Sequence, residues 1–325
     1  MPPQPATKLV DDFRPDAVPH GQVSYSMGTG GEPATEYFLA IYGGSSLGQY
    51  YYVANAICEA VNRRHAQHRI NCTALRSQGA GSNVQLLGQG RSQMALVQSD
   101  MTYLAASGER PVPGLRSVAS LYPELGVLVV GSRSEIAAPQ DLRGHRLTIP
   151  PAGAAANLMW GEYLPAIGLS PSAMSRVVAY QQDYSYHALC HRMVDAFGIW
   201  VGHPLGAIDS TIRKCGARVV GMWDPKLETM LKAKPYYFRG RIPVGTYPGQ
   251  DQALESWGVK AALVAHEKTK DHIVYWVTRV IVEDVALLRK IHPVLASLDV
   301  NEMYAQGNFL PFHPGALRYW REAGK

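Results

Sequence analysis

Three times along this chain an apolar run of strand length ends in a turn of glycine and small residues and gives way to a helical stretch. The turns are Gly43 to Tyr51, Ser77 to Asn83 and Pro150 to Asn157. Before the first, Phe38-Leu39-Ala40-Ile41-Tyr42 reads as a buried strand. After it, Val53, Ile57 and Val61 stand four residues apart and place one apolar stripe of a helix against a sheet. The unit then repeats as strand Ile70 to Leu75, turn Gln78-Gly79-Ala80-Gly81, helix from Asn83 and strand Gln93 to Gln98. This βαβα order predicts an α/β protein with mostly parallel sheets, because a parallel neighbour needs a crossover and the helix supplies it.

Leu125 to Val130 is another buried strand, and after Asp141-Leu142-Arg143-Gly144 the same grammar restarts with Arg146 to Ile149 and Pro150-Pro151-Ala152-Gly153. It continues through Arg176 to Tyr180, Val194 to Val201 and Arg218 to Met222. A Pro-rich segment, Tyr236 to Pro248, precedes strand Val259 to Ala265 and a long helix from Asp271. The chain is 325 residues long, enough for two lobes with separate cores. The reading is an N-terminal extension over 1–36, lobe I over 37–127 and 255–325, and lobe II over 128–254. Two crossings between the lobes make a two-strand hinge about which they rock over a cleft.

Hydrophobic residues make up 46% and charged residues 18%, a globular composition. The net charge of +5 comes from Lys and Arg spread along the chain, so no basic block exists to bind nucleic acid. The longest apolar helical stretch, His272 to Lys290, is interrupted by Arg279, Glu283 and Asp284 and does not suit a bilayer. Met1 to Tyr37 lacks the apolar core of a secretory signal, which was either removed or never present. Cys58, Cys72, Cys190 and Cys215 form two near pairs. An oxidising compartment would make of them one disulfide per lobe, Cys58 with Cys72 and Cys190 with Cys215; otherwise they are four buried thiols.

In open α/β sheets the crevice forms at the carboxyl ends of the strands, where all three turns fall. Helix N-termini there present unpaired N–H groups and a positive partial charge, so a small organic anion is the natural guest. The candidate ligand-binding residues are Gly44, Ser45, Ser46, Gly48 and Gln49 in the first loop. Gln78, Gly79 and Asn83 come from the second, with Gln98 at the end of the following strand. Ala152, Gly153, Ala154, Ala155, Ala156 and Asn157 come from the third. Tyr50, Tyr51, Trp160 and Trp200 are aromatic candidates for the cleft wall.

Other chemistries compete. Gly44-Ser45-Ser46-Leu47-Gly48 matches the nucleophile elbow of a serine hydrolase, with Ser46 as nucleophile and Asp195 and His203 as partners in the required order. Against it, the serine follows the first strand, so no earlier strands supply a central sheet position or an upstream oxyanion loop. Gly79-Ala80-Gly81 with Asp100 resembles part of a dinucleotide fingerprint, but Val84 occupies the third glycine position. His187 and His191, four apart and flanking Cys190, have the spacing of a metal pair without an identifiable third ligand. No cofactor or metal is called for.

Taken in order, these segments resemble the TAXI receptors of tripartite TRAP transporters, from about Tyr37 to the C-terminus. The residues that carry the likeness are Gly43-Gly44 through Gly48-Gln49-Tyr50-Tyr51, Asn83 with Leu86-Leu87-Gly88, and Met94 to Asp100. They continue with Asp141-Leu142-Arg143-Gly144, Asp195-Ala196 with Gly202-His203-Pro204, Ile242 to Tyr247, and His313 to Glu322. The resemblance implies a type II periplasmic-binding-protein fold, export to the periplasm, and delivery of a captured carboxylate to a TRAP membrane permease, with no catalysis. The chain departs from the family where it reads Ser77-Gln78-Gly79-Ala80 for Thr-Gly-Gly-Ser and Gly153-Ala154-Ala155-Ala156 for Gly-Ser-Gly-Thr. Those lost hydroxyls imply a less polar carboxylate than glutamate.

Overall fold

A computed structural model describes residues 35–325. The expected extension over 1–36 lies, apart from its last two residues, outside the described residues. From there the chain runs β1 (Tyr37–Tyr42), α1 (Gln49–Arg63), α2 (His65–His68), β2 (Ile70–Leu75), α3 (Ala80–Gly88), β3 (Met94–Gln98), α4 (Ser99–Ser107) and β4 (Leu115–Val130). The second half-sheet is built from β5 (Arg146–Thr148), α5 (Ala155–Ala166), β6 (Arg176–Val178), α6 (Gln182–Cys190), β7 (Ala196–Val201), α7 (Gly206–Cys215), β8 (Arg218–Gly221), α8 (Leu227–Ala233) and β9 (Phe238–Ile242). The return is β10 (Leu254–His266), α9 (Asp271–Glu283), α10 (Val285–Ile291), α11 (Val300–Ala305) and α12 (Pro314–Glu322).

The fold is a two-lobed α/β architecture with a mixed sheet. The short strands pair in parallel, β2 with β1, β1 with β3, β6 with β5 and β5 with β7. The long strands β4 and β10 are antiparallel to each other and to their neighbours, and each belongs to both lobes. One half of β10, from Ala261 to Ala265, pairs with β3, and its other half, from Leu254 to Gly258, pairs with β9. On β4, Leu125 to Val130 pairs with β7. The switch falls where Leu125 lies opposite Gly258 and Glu124 opposite Val259. A Cβ on Gly258 would stand 1.9 Å from the Glu124 carbonyl oxygen, so the two crossing strands approach this closely only because position 258 has no side chain.

Each lobe has its own apolar core. The α1 stripe of Val53, Ile57 and Val61 is fully buried with Leu39, Ile41, Met94 and Leu96 and the inner face of α9. Burial of side chains of this size stabilises by about 1.5–3 kcal/mol each. The other lobe packs Leu128, Val130, Leu147, Trp160, Tyr163 and Trp257 on one sheet face, and Val127, Val129, Phe197 and Ile199 on the other. Strands β3 and β7 are buried at every residue, as strands covered by helices on both faces must be.

Two expected boundaries move. Strand β4 begins ten residues before the run that starts at Leu125, and β9 lies inside the Pro-rich segment. Both expected disulfides are present, Cys58 to Cys72 joining α1 to β2 and Cys190 to Cys215 joining the ends of α6 and α7. No helix among the described residues is long and apolar enough to cross a membrane.

Candidate ligand cleft

The three glycine loops end strands β1, β2 and β5 and start helices α1, α3 and α5, whose first turns receive no hydrogen bond from an N-cap side chain. Gly79 and Gly153 precede α3 and α5 with φ of +98° and +95°, and nothing lies within 4 Å of where their Cβ atoms would be. Loops of opposite lobes touch: a Cβ on Gly81 would lie 2.6 Å from the Gly153 carbonyl oxygen. The Ser45 hydroxyl donates to Asp183 on α6 at 2.9 Å. The Gln49 amide donates to the carbonyl oxygens of Gly202, at 2.9 Å, and Pro204, in the turn after β7.

Behind these loops, at the crossing of β4 and β10, the interior is polar. Glu124 is 2% exposed, and its Oε2 accepts from Gln98 at 2.8 Å and from the Tyr50 hydroxyl at 3.1 Å. Burial pushes its carboxyl up to about 8, against the pull of those two donors. Asp100, in the first turn of α4, is fully buried; its Oδ1 accepts from the Met101 N–H at 2.8 Å and its Oδ2 has no partner. Burial raises it to about 7, the Met101 N–H lowers it, and the carboxylate of Glu162 on α5 of the other lobe raises it further. Glu162 accepts from Lys234 at 2.6 Å through Oε1, leaving Oε2 without a partner. Gln98 Oε1 and the hydroxyls of Tyr122 and Tyr237 are also buried and unpaired.

Such a concentration of unpaired buried polar atoms is uncommon in a protein interior. Sequence reasoning missed Glu124 and Glu162 and met Asp100 without a role, in a fragment of a nucleotide motif and at the end of the Met94 to Asp100 segment. The available signal was a lone carboxylate in an apolar strand run, Tyr122-Pro123-Glu124-Leu125.

The expected site residues divide. Gly44, Ser45, Ser46 and Gly48 stand in the first loop and Gln78 and Gly79 in the second. Ala152, Gly153 and Ala154 stand in the third, and of these residues Ser45 and Gly153 contact the opposite lobe. Five are committed to the fold instead. Gln49 spends its amide hydrogens across the lobes. Asn83 donates to the carbonyls of Gly43 and Leu96, tying β1 to β3. Asn157 bonds Pro150 of its own loop at 2.8 Å. Ala155 packs against the first lobe's core and Ala156 against the second's.

Gln98 and Tyr50 face Glu124. Tyr51 lines a surface groove with Asn55 and Arg63, and Arg76 lies over its ring. Trp160 and Trp200 are core residues, edge to face at 5.6 Å, fixed where Gly198 and Gly126 leave room for the indoles.

The hydrolase constellation does not assemble. Asp195 is held by the backbone and guanidinium of Arg146. His203 donates from Nε2 to the Leu125 carbonyl and accepts at Nδ1 from Tyr247 at 2.6 Å, so neither ring nitrogen is free to serve Ser46. Burial lowers its imidazole to about 4 and keeps it neutral. The metal pattern fails on Cys190, which is in a disulfide, while His187 and His191 stack on each other at 3.9 Å.

The sequence profile of the NMT1-like family matches residues 41–324. Among solved structures, MatC from Rhodopseudomonas palustris with bound malate is 11% identical, with a TM-score of 0.55, over 89% of this chain and 97% of that one. The periplasmic binding protein BugD is 13% identical, with a TM-score of 0.54, over 89% of this chain and 94% of the other.

Proposed function

The chain belongs to the NMT1-like family, and from that premise we propose that it is a solute-binding receptor that closes two lobes over a small ligand and catalyses nothing. One observation carries the reading: glycine loops from both lobes meet over unpaired buried polar atoms at the point where the crossing strands change partners. A ligand held there touches both lobes and biases the hinge, which is what a capture protein requires.

In this reading the lobes are 37–127 with 255–325 and 128–254, and the ligand carries a carboxylate toward the N-termini of α1, α3 and α5. The open Cα positions of Gly79 and Gly153 leave space for its close approach. The malate-bound structure of the same fold is in keeping with a small carboxylate. The ordered motifs of a TAXI receptor further support export to the periplasm and delivery to a TRAP permease. The polar interior behind the loops favours a more polar ligand than Ala154, Ala155 and Ala156 suggested, and of these three Ala155 and Ala156 pack against the cores.

Native mass spectrometry of protein purified without denaturation, followed by calorimetry with mono- and dicarboxylates, tests the reading. The expected result is a bound mass below that of a peptide and at least one carboxylate whose binding Gly153→Val weakens at least tenfold. Saturating carboxylates that neither bind nor shift the melting temperature would sink it.

A further inference from the structure

We infer that the bridge between Cys190 and Cys215 is a thiol-exchange site, reached through a basic cavity that recruits small thiols carrying carboxylates. A cavity of about 440 Å³ is bounded by both cysteines together with Arg133, His145, Arg146 and Arg192. Both cysteines are half-buried, whereas Cys58 and Cys72 are 4% and 6% exposed. The cavity is separate from the cleft. Arg146 opens β5 and Asp195 precedes β7, while the loops of the cleft follow the opposite ends of those strands. Along the six residues of β7 this places it about 17 Å from the turn at Gly202.

Positive charge is in excess on this wall. Asp195 is held by Arg146 at 2.6 Å, the one ion pair within the lining among the described residues, and Glu135 is the other carboxylate present. Arg218 donates to the Ser134 and Ile136 carbonyls at 2.8 and 2.5 Å, which fixes the loop after β4 and adds a further cation. Arg192 stands at φ +56° in the turn after α6, where the matching turn after α7 has Gly216 at φ +66°. Glycine adopts that conformation freely and arginine only with strain. The last carbonyls of α6 already accept from the N–H groups of His191, Arg192 and Met193, so the guanidinium is not needed to cap the helix.

Guanidinium forks bind carboxylates, and cations beside a disulfide attract the attacking thiolate and stabilise the departing one. The thiolate bonds to one bridge sulfur as the bond between Cys190 and Cys215 breaks, and the other cysteine leaves as a thiolate that takes a proton from water. A second thiolate attacks the mixed disulfide, so that two small thiols are oxidised to their disulfide and the bridge is reduced to two thiols. The bridge of Cys58 and Cys72 is the internal control, because the groove beside it holds Arg63 already paired with Glu59 at 2.6 Å.

The test exposes the oxidised protein at low salt to mercaptosuccinate, 2-mercaptoethanol or cysteamine, which are anionic, neutral and cationic thiols. Peptide mapping of alkylated samples follows each bridge in time, and every rate is divided by that of the same thiol with an uncharged model disulfide. At the Cys190 and Cys215 bridge mercaptosuccinate should then lead cysteamine by at least about tenfold, and the lead should shrink when salt screens the cavity. Cys58 and Cys72 should open later and show no such preference. In Arg192→Gly, whose turn suits glycine and so keeps its fold, the lead should drop to within roughly threefold. Arg133→Gln is the second variant and should lower it likewise. Normalised rates equal for all three thiols would overturn the inference, as would a preference that survives both substitutions or one shared equally by Cys58 and Cys72. The cleft takes no part in this chemistry, so each of these outcomes leaves the receptor reading as it stands.

Discussion

Gly153 holds φ at +95° with open space around its Cα, so its backbone, not crowding, forbids a side chain there. Gly153→Ala should therefore cost about 1–2 kcal/mol of strain, and Gly153→Val more, because a β-branched residue resists positive φ. Urea unfolding should show that cost, and calorimetry a weaker carboxylate affinity. Equal affinity in both variants would remove this loop from the site.

Glu124 makes a pH prediction. The unfolded chain releases this proton near the ordinary 4.5, the folded protein only near 8. Below 4.5 both states hold it and stability is greatest. Between 4.5 and 8 only the folded state does, so stability falls by about 1.4 kcal/mol per pH unit, and above 8 the loss is complete. Asp100 adds the same sign between 3.8 and about 7. Urea titrations at pH 5 to 8 should give a steeper decline for the wild type than for Glu124→Gln, and parallel slopes would mean the buried acid is ionised. These two acids were illegible beforehand because a carboxylate on a strand or in the first turn of a helix reads alike whether it faces water or a hinge. The glycine loops were legible because a turn between strand and helix needs them in any context.

At the scale of elements, local periodicity was the reliable guide. Val53, Ile57 and Val61 repeat with the helix, and no tertiary contact overrides them. Strand β4 was half hidden: Ser117, Ser120, Pro123 and Glu124 break the apolar run, and only the pairing of Leu115 to Leu125 along Gly258 to His266 of β10 makes one strand of it. Strand β9 was hidden for the opposite reason, since Arg239, Gly240 and Arg241 show strand character only by pairing along β10 at the sheet margin. The cysteines were legible as near pairs, and their disulfides close loops of 14 and 25 residues within single lobes. Closing loops of this length removes unfolded-state entropy worth about 3 kcal/mol each. Cys190→Ala with Cys215→Ala should lower unfolding stability by about 3 kcal/mol, reduction of both bridges by about twice that, and both should leave ligand affinity unchanged. Peptide mapping without reductant checks the pairing, and four free thiols in exported protein would refute it.

For the whole molecule, the sequence order of strands and helices foretold two lobes and a crossing, but not which side chains bridge them, because contacts between residues 150 apart leave no local trace. Gln49 shows the difference. Its place at a helix N-terminus suggested a ligand contact, yet its amide bonds the Gly202 and Pro204 carbonyls on the far side of the crossing. If these bonds form only when the lobes close, Gln49→Ala destabilises the closed form by about 1–3 kcal/mol through lost and unpaired hydrogen bonds. The apparent dissociation constant then rises by roughly 5- to 150-fold without any change at the ligand, because only the closed population binds tightly. Ser45→Ala removes an exposed bond to Asp183 and should cost about fivefold or less. X-ray scattering supplies the discriminating measurement, since saturated Gln49→Ala should reach the same radius of gyration as saturated wild type, only at higher ligand concentration. If affinity is unchanged while the ligand-free protein melts earlier, the Gln49 bonds are present in both states, and closure is governed by the ligand and the acids beneath it alone.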